Sequence, residues 1–202
     1  MAKQVGIYIY PLAEVLDFSG PFEVFTTASR ICPDSEPFAV SLISESDEVV
    51  AARSGYRVLS DCTISDHPEL DVLLVVGGVQ SAEMDKPSVI NWIAAQAQRV
   101  SLVASVCTGV FLLAQAGVCQ GKRVTTHWED IPDFRRLFPG LEVVEDCRWV
   151  DEGGLVTSAG ISAGIDMSLH LVERLHSRAL AEKTARQMAF DWTHSGVAIS
   201  SV

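Results

Sequence analysis

The chain has 202 residues, 48% of them hydrophobic, enough for a sizeable core and few enough to read as a single domain over 1–202. Its 26 acidic against 15 basic side chains leave a net charge of −11 without a basic run, a surface that repels phosphate backbones and excludes nucleic acid as a partner. No apolar run is long enough to span a membrane, and MAKQVGIYIYP has no leader cleavage site behind it. The five cysteines, at 32, 62, 107, 119 and 147, are odd in number, scattered and free of any CxxC pair. That pattern speaks against a disulfide framework and a zinc site, and it suits a reducing cytoplasm. Neither metal nor cofactor is expected.

In chain order, residues 5–10 (VGIYIY) read as a first strand closed by Pro11. LDFSGP at 16–21 reads as a turn, with Pro21 at the first position of a helix. Asp17 lies in that turn. In an open parallel sheet the loops at the carboxyl ends of strands gather on one edge, so Asp17 can meet Cys107 although 90 residues separate them. Asp17 serves equally well as a turn or capping residue. Residues 38–44 form the next strand, and 49–59 a hairpin turning at Ser54 and Gly55. Residues 72–76 make a buried strand running into Gly77 and Gly78. That glycine pair is either a plain tight turn or a place where backbone approaches a ligand and N–H groups face an oxyanion. A helix over 87–97 follows, with Ile90, Ile93, Ala94 and Ala97 on one face.

Residues 100–117, VSLVASVCTGVFLLAQAG, carry one reactive atom at their centre, the sulfur of Cys107. A buried strand over 102–106 leads to it, and a buried helix starting at Thr108 and Gly109 leaves it. A side chain on such a turn is lifted out of the sheet, as in a nucleophile elbow, and free N–H groups at the helix start favour thiolate over thiol. A more acidic Cys107 is therefore expected. Free cysteines are also common as small buried residues, the competing reading here. Further on, VTTHW reads as a short strand ending at His127 and Trp128, where His127 acts either as a base or proton carrier or as a structural hydrogen-bonding group. Ile131, Phe134 and Phe138 mark a helix, 143–144 and 149–157 a strand pair turning at 151–154, and Ser162 the N-cap of a helix through Arg174. A last helix covers 179–190, and the chain then stops, with no room expected for a DNA-binding domain.

Together LDFSGP, VVGG, SVCTG, TTHW and AGISAGID resemble, in order and over nearly the whole chain, the ThiJ/PfpI superfamily, whose fold is related to class I glutamine amidotransferases. The likeness implies a flavodoxin-like α/β domain: a mostly parallel sheet, helices on both faces and a nucleophile elbow. Within the superfamily it is greatest to isocyanide hydratases and to the ligand-binding half of certain AraC-type regulators. On that resemblance Cys107 is the nucleophile, Asp17 its acidic partner and Thr108 part of the elbow. Gly77, Gly78, His127 and Ile161 would then contact substrate, with Gly78 contributing to the oxyanion site. Protease-like and amidotransferase members place a histidine after the cysteine; Thr108 stands there in this sequence, which argues against peptide or glutamine hydrolysis. The implied activity is addition of water to an isocyanide, giving an N-substituted formamide through a cysteine thioimidate. Two other readings stay open, a non-catalytic small-molecule or oxidative-stress sensor and a hydratase of 2-oxoaldehydes. A small-molecule substrate and a homodimer complete the expectation.

Overall fold

The computed structural model describes residues 1–33 and 35–198. Eight strands make one sheet: β1 (Lys3–Tyr8), β2 (Phe38–Ser44), β3 (Cys62–Thr63), β4 (Val72–Val75), β5 (Leu102–Val106), β6 (Trp149–Asp151), β7 (Leu155–Ser158) and β8 (Gly196–Ala198). Their order is β8-β6-β7-β5-β4-β1-β2-β3, and every pair is parallel except the β6–β7 hairpin. β4 and β5 are buried along their whole length, as their unbroken apolar runs require of strands covered on both faces. Besides a single α-helical turn at Ser81–Met84, the helices among the described residues are α1 (Val15–Ile31), α2 (Pro87–Ala97), α3 (Gly109–Gln115), α4 (Ile131–Leu137), α5 (Ala163–Leu175) and α6 (Arg178–Gln187). α1, α5 and α6 pack together as one layer, and α2 packs with α3. The mostly parallel α/β architecture read from the sequence is the one observed.

The register Tyr8↔Val75, Val75↔Ser105 and Val106↔Ser158 brings the carboxyl ends of β1, β4, β5 and β7 to one edge. Every loop that matters below leaves from that edge.

Several boundaries differ from expectation. LDFSGP is not a turn: α1 begins at Val15, and Pro21 lies inside it. Pro21 has no N–H for the carbonyl of Asp17, a loss of about 3 kcal/mol in an isolated helix. Here Phe18, Val24, Phe25 and Ala28 are all buried, and their packing holds the helix through the proline. VTTHW is strand only at Arg123–Val124, which pairs with Glu142–Val143 in a separate two-stranded ribbon. Trp128–Asp130 coils as a single 3-10 turn. Ser162 stands at the start of α5 but makes no capping bond; its Oγ accepts instead from Arg148 Nη2 at 3.3 Å. The final helix stops at Gln187, and the two short strands β3 and β8 had no apolar pattern to announce them.

Candidate active site

β5 leads directly into Cys107, whose backbone sits at φ 55, in the left-handed region that costs a non-glycine residue about 1–3 kcal/mol. The strained peptide is held on both sides. Cys107 N–H donates to the Ser158 carbonyl at 3.2 Å, and the Cys107 carbonyl accepts from Thr126 Oγ1 at 2.9 Å. α3 follows at once, and a Cβ at Gly109 would run into the Val75 carbonyl, so only glycine lets the helix start this close to the sheet. The Thr108 hydroxyl ties the turn to the glycine pair after β4: it accepts from Gly78 N–H at 2.9 Å and donates to the Gly78 carbonyl at 2.9 Å. Gly78 N–H is thus already engaged, and the oxyanion role expected for it does not fit this arrangement.

Asp17, in the first turn of α1, is fully buried. Its Oδ2 accepts from Gly77 N–H at 3.1 Å, while Oδ1 forms no well-aligned hydrogen bond among the described residues. Gly77 is what lets the two groups meet: a Cβ there would lie 2.8 Å from Asp17 Oδ2, 2.8 Å from Cys107 Cβ and 2.6 Å from the Thr108 nitrogen. Burial pushes the Asp17 carboxyl up to about 8; the Gly77 N–H opposes this, and Cys107 opposes it more weakly as a loosely aligned hydrogen-bonding neighbour. The carboxyl is therefore mostly protonated at neutral pH. With Oδ2 occupied as an acceptor, Oδ1 carries the proton.

Cys107 does not become acidic. Burial, followed by the charge of Asp17, pushes its thiol up to about 12, opposed by the nearby N–H groups of Thr108 and Ile161, which favour the thiolate without forming a well-aligned hydrogen bond to the sulfur. At 7% exposure, desolvation of the thiolate outweighs the dipole of a helix only seven residues long. Ile161 provides its N–H from φ 51, a conformation that a β-branched residue adopts only when its surroundings force it. Leu12, at φ 64, offers its carbonyl to Val79 N–H at 3.2 Å beside Gly78, so strained residues crowd around one point.

The cleft above the sulfur has a volume of about 420 Å³ and is lined by Glu14, Arg53, Gly78, Cys107, His127 and Asp130, among others. Its His127 ring stands against Gly160, where a Cβ would overlap the imidazole and lie 2.8 Å from Cγ. Nδ1 of His127 is 3.3 Å from Asp130 Oδ2 and 3.9 Å from Glu129 Oε2. Burial raises the Asp130 carboxyl, and His127 pulls it back. A larger cleft of about 700 Å³, lined by His67 and Gln96 among others, has no cysteine in its lining.

Residues 3–174 match the model of the DJ-1/PfpI family. The chain belongs to that family. It is 35% identical over 193 residues to the isonitrile hydratase of Pseudomonas putida, covering 94% of this chain and 79% of that one. It is also 29% identical to the HTH-type transcriptional regulator CdhR of Pseudomonas aeruginosa, spanning 93% of this chain but 55% of the regulator. Among solved structures, a ThiJ/PfpI family protein from Pseudomonas syringae superposes with a TM-score of 0.83 at 25% identity, over 95% of this chain and 76% of that one. Drosophila melanogaster DJ-1beta superposes at 0.81 with 23% identity, over 95% and 100%, and shares the fold.

Within this DJ-1/PfpI chain, Cys107, Asp17, Thr108, Gly77, Gly78, His127 and Ile161 do converge. Asp17 and Gly77 lie behind the sulfur, outside the residues that line the cleft, whereas Gly78, Thr108, His127 and Ile161 line it. Sequence reasoning missed Glu14, Arg53, Glu129 and Asp130. The adjacency HWED was a readable signal for the last two, because a single helical turn carries Asp130 back under His127. No pattern in the sequence announced Arg53. Among the described residues no helix is long and apolar enough to cross a membrane.

Proposed function

We propose that this DJ-1/PfpI protein is a cysteine-dependent isocyanide hydratase, acting as a single cytoplasmic domain without a cofactor. The observation that carries the reading is Cys107, which is open to a cleft, strained on a strand-to-helix turn in the manner of a nucleophile elbow, and backed by a buried carboxyl held neutral. The 35% identity to an isonitrile hydratase over 94% of the chain supports it.

The chemistry is a 1,1-addition, in which the terminal isocyanide carbon gains both a nucleophile and a hydrogen. Cys107 sulfur forms the S–C bond. Asp17 gives its Oδ1 proton to that carbon and takes the proton of the thiol, so R–NC becomes R–N=CH–S–Cys with no charge left over. One carboxyl thus acts as acid and base, which spares a thiol pushed up to about 12 from ionising beforehand. Water then adds across C=N from the cleft side. His127, backed by Asp130, takes one proton from water as the oxygen bonds to carbon and passes that proton to the nitrogen. His127 lines the cleft and Asp17 does not, so in this proposal the water-activating step expected of Asp17 from the sequence passes to His127. The tetrahedral R–NH–CH(OH)–S–Cys loses its hydroxyl proton as the C–S bond breaks, sulfur regains a proton, and R–NH–CHO leaves. The Thr108 and Ile161 N–H groups stabilise charge on sulfur as it leaves.

The test is to mix the protein with an aryl isocyanide, follow formamide, and look for a mass gain of one substrate on Cys107. Absence of formamide removes the hydratase reading and leaves ligand sensing or 2-oxoaldehyde hydration, which methylglyoxal in parallel tells apart. In the same assay Gly160→Ala, which displaces the His127 ring, lowers kcat/KM by about ten- to a hundredfold with the fold intact. An unchanged rate would take His127 out of the mechanism.

A homodimer belongs to the same proposal. Leu12, Leu16, Tyr56 and Leu59 are exposed apolar side chains, and a second copy would cover them. Light scattering is expected to give twice the 21.9 kDa chain mass; a monomer at micromolar concentration would remove this part.

A further inference from the structure

The walls of the cleft around Cys107 are unevenly charged. Three carboxylates line it, from Glu14, Glu129 and Asp130, and Arg53 is its only arginine or lysine among the described residues. That arginine is occupied, with Nε 3.6 Å from Glu14 Oε2. His127 is likewise directed at the acids, 3.3 Å from Asp130 and 3.9 Å from Glu129. Among the described residues that line the cavity, acids outnumber the one arginine three to one, and both Arg53 and His127 are set against acids. Between the lining residues His127 and Glu129 stands Trp128, 71% exposed, its ring 5.7 Å from the His127 ring and tilted 37° to it. An indole with an open face beside carboxylates is suited to an organic ammonium group, which gains from the ring quadrupole and from the negative charge together.

We infer that the cleft selects substrates by charge: it takes isocyanides whose substituent is cationic, then neutral ones, and rejects those bearing a carboxylate, sulfonate or phosphate. The inference rests on the hydratase reading for the identity of the reacting group, and on the cleft alone for the charge preference. The reach of the acids is visible at the sulfur, where the charge of Asp130 works against formation of thiolate. The chain's net charge of −11 adds a long-range field of the same sign. A cleft lined by one sign of charge concentrates the opposite sign at its reactive group by about tenfold or more at low ionic strength, and about 0.5 M salt removes most of that gain.

Charge selection can be read without turnover. Methanethiosulfonates convert a thiol to a mixed disulfide and release methanesulfinate, so their rates at Cys107, located by peptide mass, report access alone. The trimethylammonioethyl reagent is compared with the sulfonatoethyl reagent, each normalised to its rate on free cysteine. The expected cation-to-anion ratio is about ten or above at low salt, falling toward one in about 0.5 M salt. Glu129→Gln combined with Asp130→Asn, and separately Trp128→Ala, should each lower the ratio, with the neutral methyl reagent as the reference for any change in the thiol's own reactivity. A normalised ratio of one or below, or a Cys107 closed to both reagents, overturns the inference. A parallel arm compares formamide production from two isocyanides on the same alkyl chain, one ending in trimethylammonium and one in carboxylate. If the reagent ratio holds and neither yields formamide, the hydratase reading falls and charge selection stands; equal kcat/KM for the two sinks charge selection and leaves the hydratase intact.

Discussion

Cys107→Ala is expected to abolish formamide production, with a loss on the order of 10⁶ where a nucleophile is removed from a comparable site. The size of the effect follows from the position of the sulfur, which no neighbouring group can replace. The Thr108 and Ile161 N–H groups near it are no nucleophiles, and Asp17, fully buried and outside the cleft lining, serves as its proton partner rather than its substitute. Cys119, the other buried cysteine, has its thiol pushed up to about 12 by burial alone and does not line the cleft. Folding should survive the change, because alanine bears the same left-handed backbone cost as cysteine and the void is small, so stability shifts by about 1 kcal/mol. Circular dichroism and a denaturant midpoint check that part; formamide release and the mass of residue 107 check the rest. A variant retaining the full rate would mean that hydration, if it occurs, does not pass through a thioimidate.

How much of this was legible beforehand depended on whether the signal was local. Strand Leu102–Val106 and helix Pro87–Ala97 were readable to the residue, since a buried strand is one apolar run and a helix opening on Pro87 declares its own start. The meeting of Asp17 with Cys107 followed from topology, because parallel strands must deliver their carboxyl-end loops to one edge. The conformation around Pro21 was not readable: local preference favoured a helix start, and only the packing of Phe18 and Phe25 decides that the helix runs through it. The thiol's acidity was misread for a similar reason. A helix start is visible in the sequence, whereas the depth at which a sulfur ends up is a property of the packed molecule, and the second effect is larger here. Ile161 was placed by motif alone. That its N–H faces the sulfur from a left-handed backbone is set by how α5 meets the end of β7.

Asp17→Asn is expected to slow hydration by about 10²- to 10⁴-fold, the usual contribution of a positioned acid, and at the same time to change how stability depends on pH. The amide keeps an oxygen for Gly77 N–H and offers the sulfur an N–H, but it has no proton to give to carbon and none to take from the thiol. The thioimidate should therefore form slowly, seen as a delayed mass gain on Cys107 rather than a trapped adduct. The stability effect has a definite sign. In the unfolded chain the carboxyl titrates near 4, and in the fold burial moves it up to about 8. Between those values the unfolded state has lost a proton that the folded state keeps, so the wild type loses stability as pH rises from about 4 to about 8 and loses nothing further from this group above it. Asparagine does not titrate, and the variant escapes that loss. Its stability relative to wild type should rise across the same window, seen as denaturant midpoints that separate progressively between about pH 4.5 and pH 8. Midpoint differences that stay constant with pH would show Asp17 to be ionised in the fold, leaving no neutral acid beside Cys107 and removing the proton shuttle on which the proposed addition depends.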